Sequence, residues 1–334
     1  MTPLEAPYLW FGGKSRCAET VWSRFGEVDA FSEPFYGTGA VLLAAPWSPG
    51  CRRFEAVNDI DAFVANFWRA VQAAPDAVAA ACDWPANEVD LIARHKWLVE
   101  VSRKAAFCQR MLDDPDFYDV RTAAWWCWGI CCWFGSGWCH GVWHGPGSGE
   151  KGFVKKPVAQ HQGALRPNAW PVALDVAAAA AISAEMDQRR EGMRLWFNAL
   201  AARLRDVRVC CGDFARICTP SYTFERGDVA AVFLDPPYAQ STGRTMGMYR
   251  DDSGSVSFRA RTWAIENGTN PRLRICLAGY DGEHAMPDNW QCVSWVAQGG
   301  FGNQGESNEN RRRERLWFSP HCVVPDEARS LFDA

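Results

Sequence analysis

Seven short apolar runs punctuate this chain, at residues 28–31, 54–57, 207–211, 229–234, 273–277, 291–297 and 314–318. Each has the length of a strand. Helical spacing of apolar positions predicts helices at about 62–73, 77–81, 91–111, 173–184, 185–204 and 258–266. On the strongest of these, 185–204, Leu195, Trp196 and Leu200 are expected to face inward. Strands alternating with helices predict an α/β fold with a doubly wound sheet. The long interval between the second and third strands interrupts that pattern. Residues 89–202 therefore read as an insert between a first core segment, 1–88, and a second, 203–334.

The chemistry begins where the run VAAVFL stops at Asp235-Pro236-Pro237-Tyr238. Proline has no N–H for the ladder, so the strand ends there. The carboxyl end of a strand in an open α/β sheet is where ligands bind. A carboxylate, a carbonyl without a competing N–H and an aromatic ring suit a flat base with an exocyclic amine. The amine would donate to Asp235 and to the Pro236 carbonyl, and Tyr238 would stack on the base. The bland alternatives are a turn-forming Asp before Pro and a strand-end aromatic packed on the core.

Three other strand ends carry comparable signals. Residues 28–31 lead into Glu33-Pro34-Phe35-Tyr36-Gly37-Thr38-Gly39 and then the helical AVLLAA. Gly37 and Gly39 allow close approach of backbone to ligand. The dinucleotide fingerprint is excluded, because no third Gly follows at its spacing. The second strand ends at Asn58-Asp59, where an acid usually holds a ribose diol. The third ends at Asp213-Phe214, an acid and a ring suited to adenine, although Asp213 could equally cap a helix over 214–218. Trp10-Phe11-Gly12-Gly13-Lys14 precedes them all; Trp10 could be core and Lys14 solvated.

In this order, WFGGK, EPFYGTG, NDID, CGDF and DPPY resemble the Dam-type N6-adenine DNA methyltransferases, in their alpha arrangement. The motifs span most of the chain. The resemblance implies a Rossmann-like, S-adenosylmethionine-dependent methyltransferase core with an inserted, mostly helical target-recognition domain. It implies S-adenosylmethionine as cofactor and double-stranded DNA as partner. Trp10, Gly13, Lys14, Glu33, Phe35, Gly37, Gly39, Asp59, Asp213 and Phe214 would then serve the cofactor, with Asn58 a lesser alternative to Asp59. Asp235, Pro236, Pro237 and Tyr238 would serve the target base. No metal and no covalent enzyme intermediate is needed.

Bulk composition changes this picture little. The 334 residues are 48% hydrophobic and 22% charged, which is ordinary globular usage. No apolar run has membrane-span length and no signal peptide is evident, so a cytoplasmic protein is expected, without a membrane or an obligate protein partner. The net charge of −4 weighs against nucleic acid, unless local basic patches make the phosphate contacts. The best patch is Lys151, Lys155, Lys156 and Arg166, after the glycine-rich stretch 145–152; Arg311, Arg312 and Arg313 form a second. A solvated loop is the bland alternative for the first patch, and solvated helix faces for Arg189, Arg190 and Arg194. Cys127, Cys131, Cys132, Cys139, His140 and His144 invite a metal reading but lack a CxxC pair, so buried thiols beside tryptophan are expected. Two rival functions remain at this point. An N4-cytosine methyltransferase needs the same amine geometry, though Ser more often precedes its PPY. An idle DNA-binding protein on the same fold would be expected to have lost one of these motifs.

Overall fold

The computed structural model describes residues 4–8, 13–46, 52–103, 105–114, 116–133, 138–139, 176–238, 255–295 and 313–324. Trp10, Lys151, Lys155, Lys156, Arg166, Arg311, Arg312, His140 and His144 lie outside them. The chain runs α1 (Ala18–Phe25), β1 (Ala30–Glu33), α2 (Ala40–Leu43), β2 (Phe54–Asp59), α3 (Ala62–Ala73), α4 (Pro75–Cys82), α5 (Glu88–Arg103), α6 (Ala105–Asp113), α7 (Val120–Cys132) and α8 (Val176–Leu204). It continues through β3 (Arg208–Cys211), β4 (Ala230–Leu234), α9 (Val256–Asn267), β5 (Leu273–Tyr280), β6 (Gln291–Ser294) and β7 (Glu314–Phe318).

The seven strands form one sheet in the order β3-β2-β1-β4-β5-β7-β6. The first five are parallel, and β7 runs antiparallel to both β5 and β6. Strand order reverses between β1 and β4, which makes that crevice the topological switch point. The mixed α/β sheet is compatible with a methyltransferase core. Strand β4 is buried along its whole length, as a parallel strand covered on both faces must be. Val232 and Leu234 pack in one cluster with Ile275, Leu277 and Trp290. Each such aliphatic side chain removed from water contributes about 1.5–3 kcal/mol before entropy is charged against it. Ala260 and Ala264, four residues apart on α9, join this cluster and let the helix approach closely.

Packing divides the chain into two units, Met1–Asp61 with Asp206–Ala334, and Ala62–Arg205. The first holds the sheet. The second is helical: α3 and α4 pack on α7 and α8, and α5 packs on α7. Residues 62–88, grouped in the sequence with the core, thus join the helical unit. Asp119 caps α7 by accepting from the Thr122 N–H at 2.6 Å. Its own N–H donates to Asn66 Oδ1 at 2.8 Å, which ties α7 to α3. The Arg94 guanidinium lies 4.3–5.0 Å from the ring centroids of Trp84, Trp125 and Trp128, so part of the tryptophan content serves the interior of this unit. Arg190 and Arg194 pair with acids on α8 and α4 or at its end, including Asp83, Asp76 and Glu191.

One expectation about α8 fails. Leu195 is 55% exposed, while Phe197, Leu200 and Leu204 are buried. Residues 197, 200 and 204 share one helical face, and residue 195 lies about 200° round the helix from 197.

Candidate active site

Five parallel strands bring their carboxyl ends to one edge of the sheet. Glu33 ends β1, Asp59 ends β2, Gly212-Asp213 follow β3, Asp235 follows β4 and Tyr280 ends β5. Because β7 is antiparallel, its first residue reaches the same edge, with Glu314 paired against Tyr280. The acids found by reading strand ends are therefore gathered by topology, although 200 residues of chain separate the first from Asp235.

The ends of β1, β2 and β3 form one group. Gly37 and Gly39 have φ of 46° and 64°, the left-handed region that favours glycine. At Gly39 a Cβ would also meet the Tyr36 ring at 2.4 Å, so the glycine is required by its own turn as well as by any ligand. Asp59 fixes that turn: Oδ2 accepts from the Gly37 N–H and Oδ1 from the Asp61 N–H, both at 2.9 Å. Asn58 staples the neighbouring loops, donating through Nδ2 to the Pro34 and Gly212 carbonyls at 3.2 and 2.9 Å. Its Oδ1 is buried without a partner. The Tyr8 hydroxyl donates to the Gly37 carbonyl at 2.8 Å. Phe35 stacks on Phe214 at 5.3 Å between centroids.

Asp213 does what its capping alternative allowed. Oδ1 accepts from the Ala215 N–H at 3.0 Å, and both oxygens take the fork of Arg259 at 2.8 and 2.9 Å. The Arg259 hydrogen bonds hold its carboxyl below the usual carboxylate range. Three of about four lone-pair positions are thereby used.

The second group surrounds β4. Lys14 is 4% exposed, and its Nζ lies 2.8 Å from Asp235 Oδ1, so it is neither solvated nor grouped with the ends of β2 and β3. The Cys17 N–H and thiol both bond its carbonyl, which anchors Lys14 to the start of α1. Gly13, beside it, is exposed. The ammonium also stands 5.3 Å from the Tyr238 ring centroid. The Tyr238 hydroxyl donates to Glu314 Oε2 at 2.5 Å, and its ring meets Tyr280 edge-on at 4.5 Å. Burial pushes Asp235 above the usual range, against the pull of Lys14. Glu314 rises for the same reason, against Lys14 and Tyr238. Burial opposes the charge on Lys14, but Asp235 and Glu314 outweigh it and its pKa is raised. Glu33 joins the two groups. It is buried, it accepts from the Leu42 N–H at 3.1 Å, and it feels the charges of Asp235 and Lys14.

Residues 10–108 match the family model described as D12 class N6 adenine-specific DNA methyltransferase. Over that stretch, less than a third of the chain, the sequence is similar to this family. The match takes in Lys14, EPFYGTG and Asn58-Asp59 and ends before DPPY, which the sheet places beside them. No curated protein matches the chain.

Four residues of this site were not indicated by any motif: Glu314, Tyr280, Arg259 and Tyr8. A signal existed for Glu314, an acid opening a strand whose last three residues, Leu316, Trp317 and Phe318, are apolar. Arg313 reaches the same edge, 5.3 Å from the Tyr280 ring centroid. Cys127 is buried, with Cys131 and Cys82 as its thiol neighbours. Among the described residues no cluster of His, Cys, Asp or Glu is suited to a metal, and no helix is long and apolar enough to cross a membrane.

Proposed function

We propose that this enzyme moves a methyl group from S-adenosylmethionine to the N6 amine of an adenine swung out of duplex DNA. One observation carries the reading. β1 and β4 are paired neighbours at the switch point, so EPFYGTG and DPPY leave adjacent strand ends. A donor held by the first lies next to an amine held by the second.

The residues at the ends of β1–β3 fit the cofactor. They offer acceptors and rings: the unpartnered Asn58 Oδ1, the carboxylates of Asp59 and Asp213, and the Phe35–Phe214 pair. A ribose diol, an ammonium and an adenine amine are all donors. Asp59 would hold the ribose, Asp213 and Phe214 the adenine, and Glu33, Phe35, Gly37 and Gly39 the remainder, with Trp10 and Gly13 from the N-terminal motif. When bound, S-adenosylmethionine supplies an electrophilic methyl on a sulfonium with a neutral leaving group.

The protein's own task is the amine. Its lone pair is delocalised into the purine, which makes it a poor nucleophile. Asp235 and the Pro236 carbonyl accept hydrogen bonds from its two N–H groups, draw the nitrogen toward tetrahedral geometry and stabilise the positive charge that develops on it. That charge is discharged when the methylated amine releases one proton to solvent. Pro237 keeps the turn rigid. Tyr238 supplies the face on which the extruded base stacks. In-line placement contributes the rest.

Incubating the enzyme with S-adenosylmethionine and duplex DNA, then analysing the nucleosides by mass, should yield N6-methyladenine. N4-methylcytosine alone, or no methylated base, would overturn the reading.

Binding of DNA is proposed for the patch Lys151, Lys155, Lys156 and Arg166, with Arg311, Arg312 and Arg313 as the second candidate. Lys155→Ala with Lys156→Ala should weaken target and non-target DNA alike. For every phosphate no longer neutralised, the slope of log K against log salt should fall by about 0.9. An unchanged slope in a titration would shift the binding surface to Arg311–313.

A further inference from the structure

The amine-holding carboxylate is not alone with its ammonium. Asp235 and Lys14 form a close pair, and such a pair is electrically neutral. A carboxylate already shared with an ammonium is a weaker acceptor, and the ammonium itself repels a cation forming nearby. Something must restore negative charge to this end of the site. Glu314 is 4% exposed, and its charge acts on both Lys14 and Asp235. Its Oε2 also takes the Tyr238 hydroxyl at 2.5 Å. Glu314 therefore helps to hold the Tyr238 ring in place, together with the Tyr280 ring and the Lys14 ammonium.

We infer that Glu314 is a positioning residue for the target base: it fixes the Tyr238 ring and, by sharing Lys14, leaves Asp235 free charge for the amine. The role rests on the proposed function for what the pocket receives. Its placement follows from the antiparallel course of β7, which sets Glu314 opposite Tyr280. The titratable groups facing it are Lys14 and Cys17 from the segment before α1, Asp235 and Tyr238 after β4, and Tyr280 and Glu283 at the end of β5 and beyond.

Two substitutions separate its tasks. Glu314→Gln keeps an acceptor for Tyr238 and removes the charge; Glu314→Ala removes both. Two measurements decide. The first is the melting temperature of the free protein against pH. A buried carboxyl with a raised folded pKa favours folding while protonated and costs stability as pH rises through that value. The Glu314→Gln protein should therefore gain on the parent from acid to pH 8, by about 2 °C or more. The second is methyl transfer to duplex DNA. Turnover should fall by about 10-fold in Glu314→Gln and about 100-fold in Glu314→Ala, with cofactor KM unchanged. The acid limb of the Glu314→Gln profile should move to lower pH, because Asp235 loses a like-charged neighbour and shares Lys14 with no rival.

Parallel melting curves would overturn the inference whatever the enzyme does. So would a melting difference without any change in turnover or acid limb. A parent enzyme that makes no methylated base sinks the proposed function and this role together, and is told apart by the missing product in the parent. If Glu314→Ala does not fold, Glu314→Gln alone carries the test.

Discussion

Asp235→Ala is expected to abolish methyl transfer while leaving cofactor binding nearly intact. Loss of one preorganised group aimed at transition-state charge costs about 10²–10³-fold in turnover. Asp235 should stand at the upper end, because it is the charged one of the two proposed acceptors and the Pro236 carbonyl cannot replace it. Cofactor affinity should hold, because the acceptors proposed for the ribose and adenine, Asp59 and Asp213, lie at the ends of β2 and β3, on the far side of β1 from Asp235. Asp59→Ala should behave in the opposite way. Its carboxylate holds the Gly37 and Asp61 N–H groups, so its removal loosens the glycine turn as well as the proposed ribose contact. Calorimetry with S-adenosylmethionine on both variants, with turnover measured alongside, separates the roles. Equal losses of cofactor affinity in the two variants would falsify the assignment. Asp235→Asn serves as a control, since it keeps the shape and removes the charge.

What could be read from the sequence was whatever lies within a few residues of a strand end. Two prolines stop β4, so Asp235 had to sit at a carboxyl edge. Asn58-Asp59 and Gly212-Asp213 could be placed by the same logic. Partners made by long-range pairing could not be found this way. Asp213 binds Arg259, 46 residues on, and Lys14 binds Asp235 across more than 200. Strand β5 shows why. Its apolar run suggests an end at Leu277, yet the strand continues through Ala278 and Gly279 to Tyr280. Those small residues carry little apolar signal of their own. They are held extended by Leu316, Arg315 and Glu314 on β7, a strand that arrives only some 35 residues later. The same pairing delivers Tyr280 and Glu314 to the site. The exposed Leu195 teaches a related lesson on α8. Apolar character marked the helix, but only packing against α3 and α4 selects Phe197 and Leu200 as its inner face.

Lys14→Met should destabilise the fold by about 3–5 kcal/mol near neutral pH, since removing one partner of a buried pair leaves the other charge uncompensated. Methionine keeps most of the stem, so packing changes little. The pH dependence identifies the cause. Lys14 has a raised folded pKa, so its contribution in the parent is complete below the pKa of an unfolded lysine and persists through the neutral range. Asp235 and Glu314 are already raised by burial, and without the ammonium they rise further. The variant should therefore regain stability as pH falls and these carboxyls take protons. Urea unfolding at pH 8 and pH 5 should show a large deficit at the first and a smaller one at the second. A deficit of equal size at both would assign the loss to packing instead of charge. Lys14→Met combined with Asp235→Asn should cost less than Lys14→Met alone, because the acid left without its partner is then neutral.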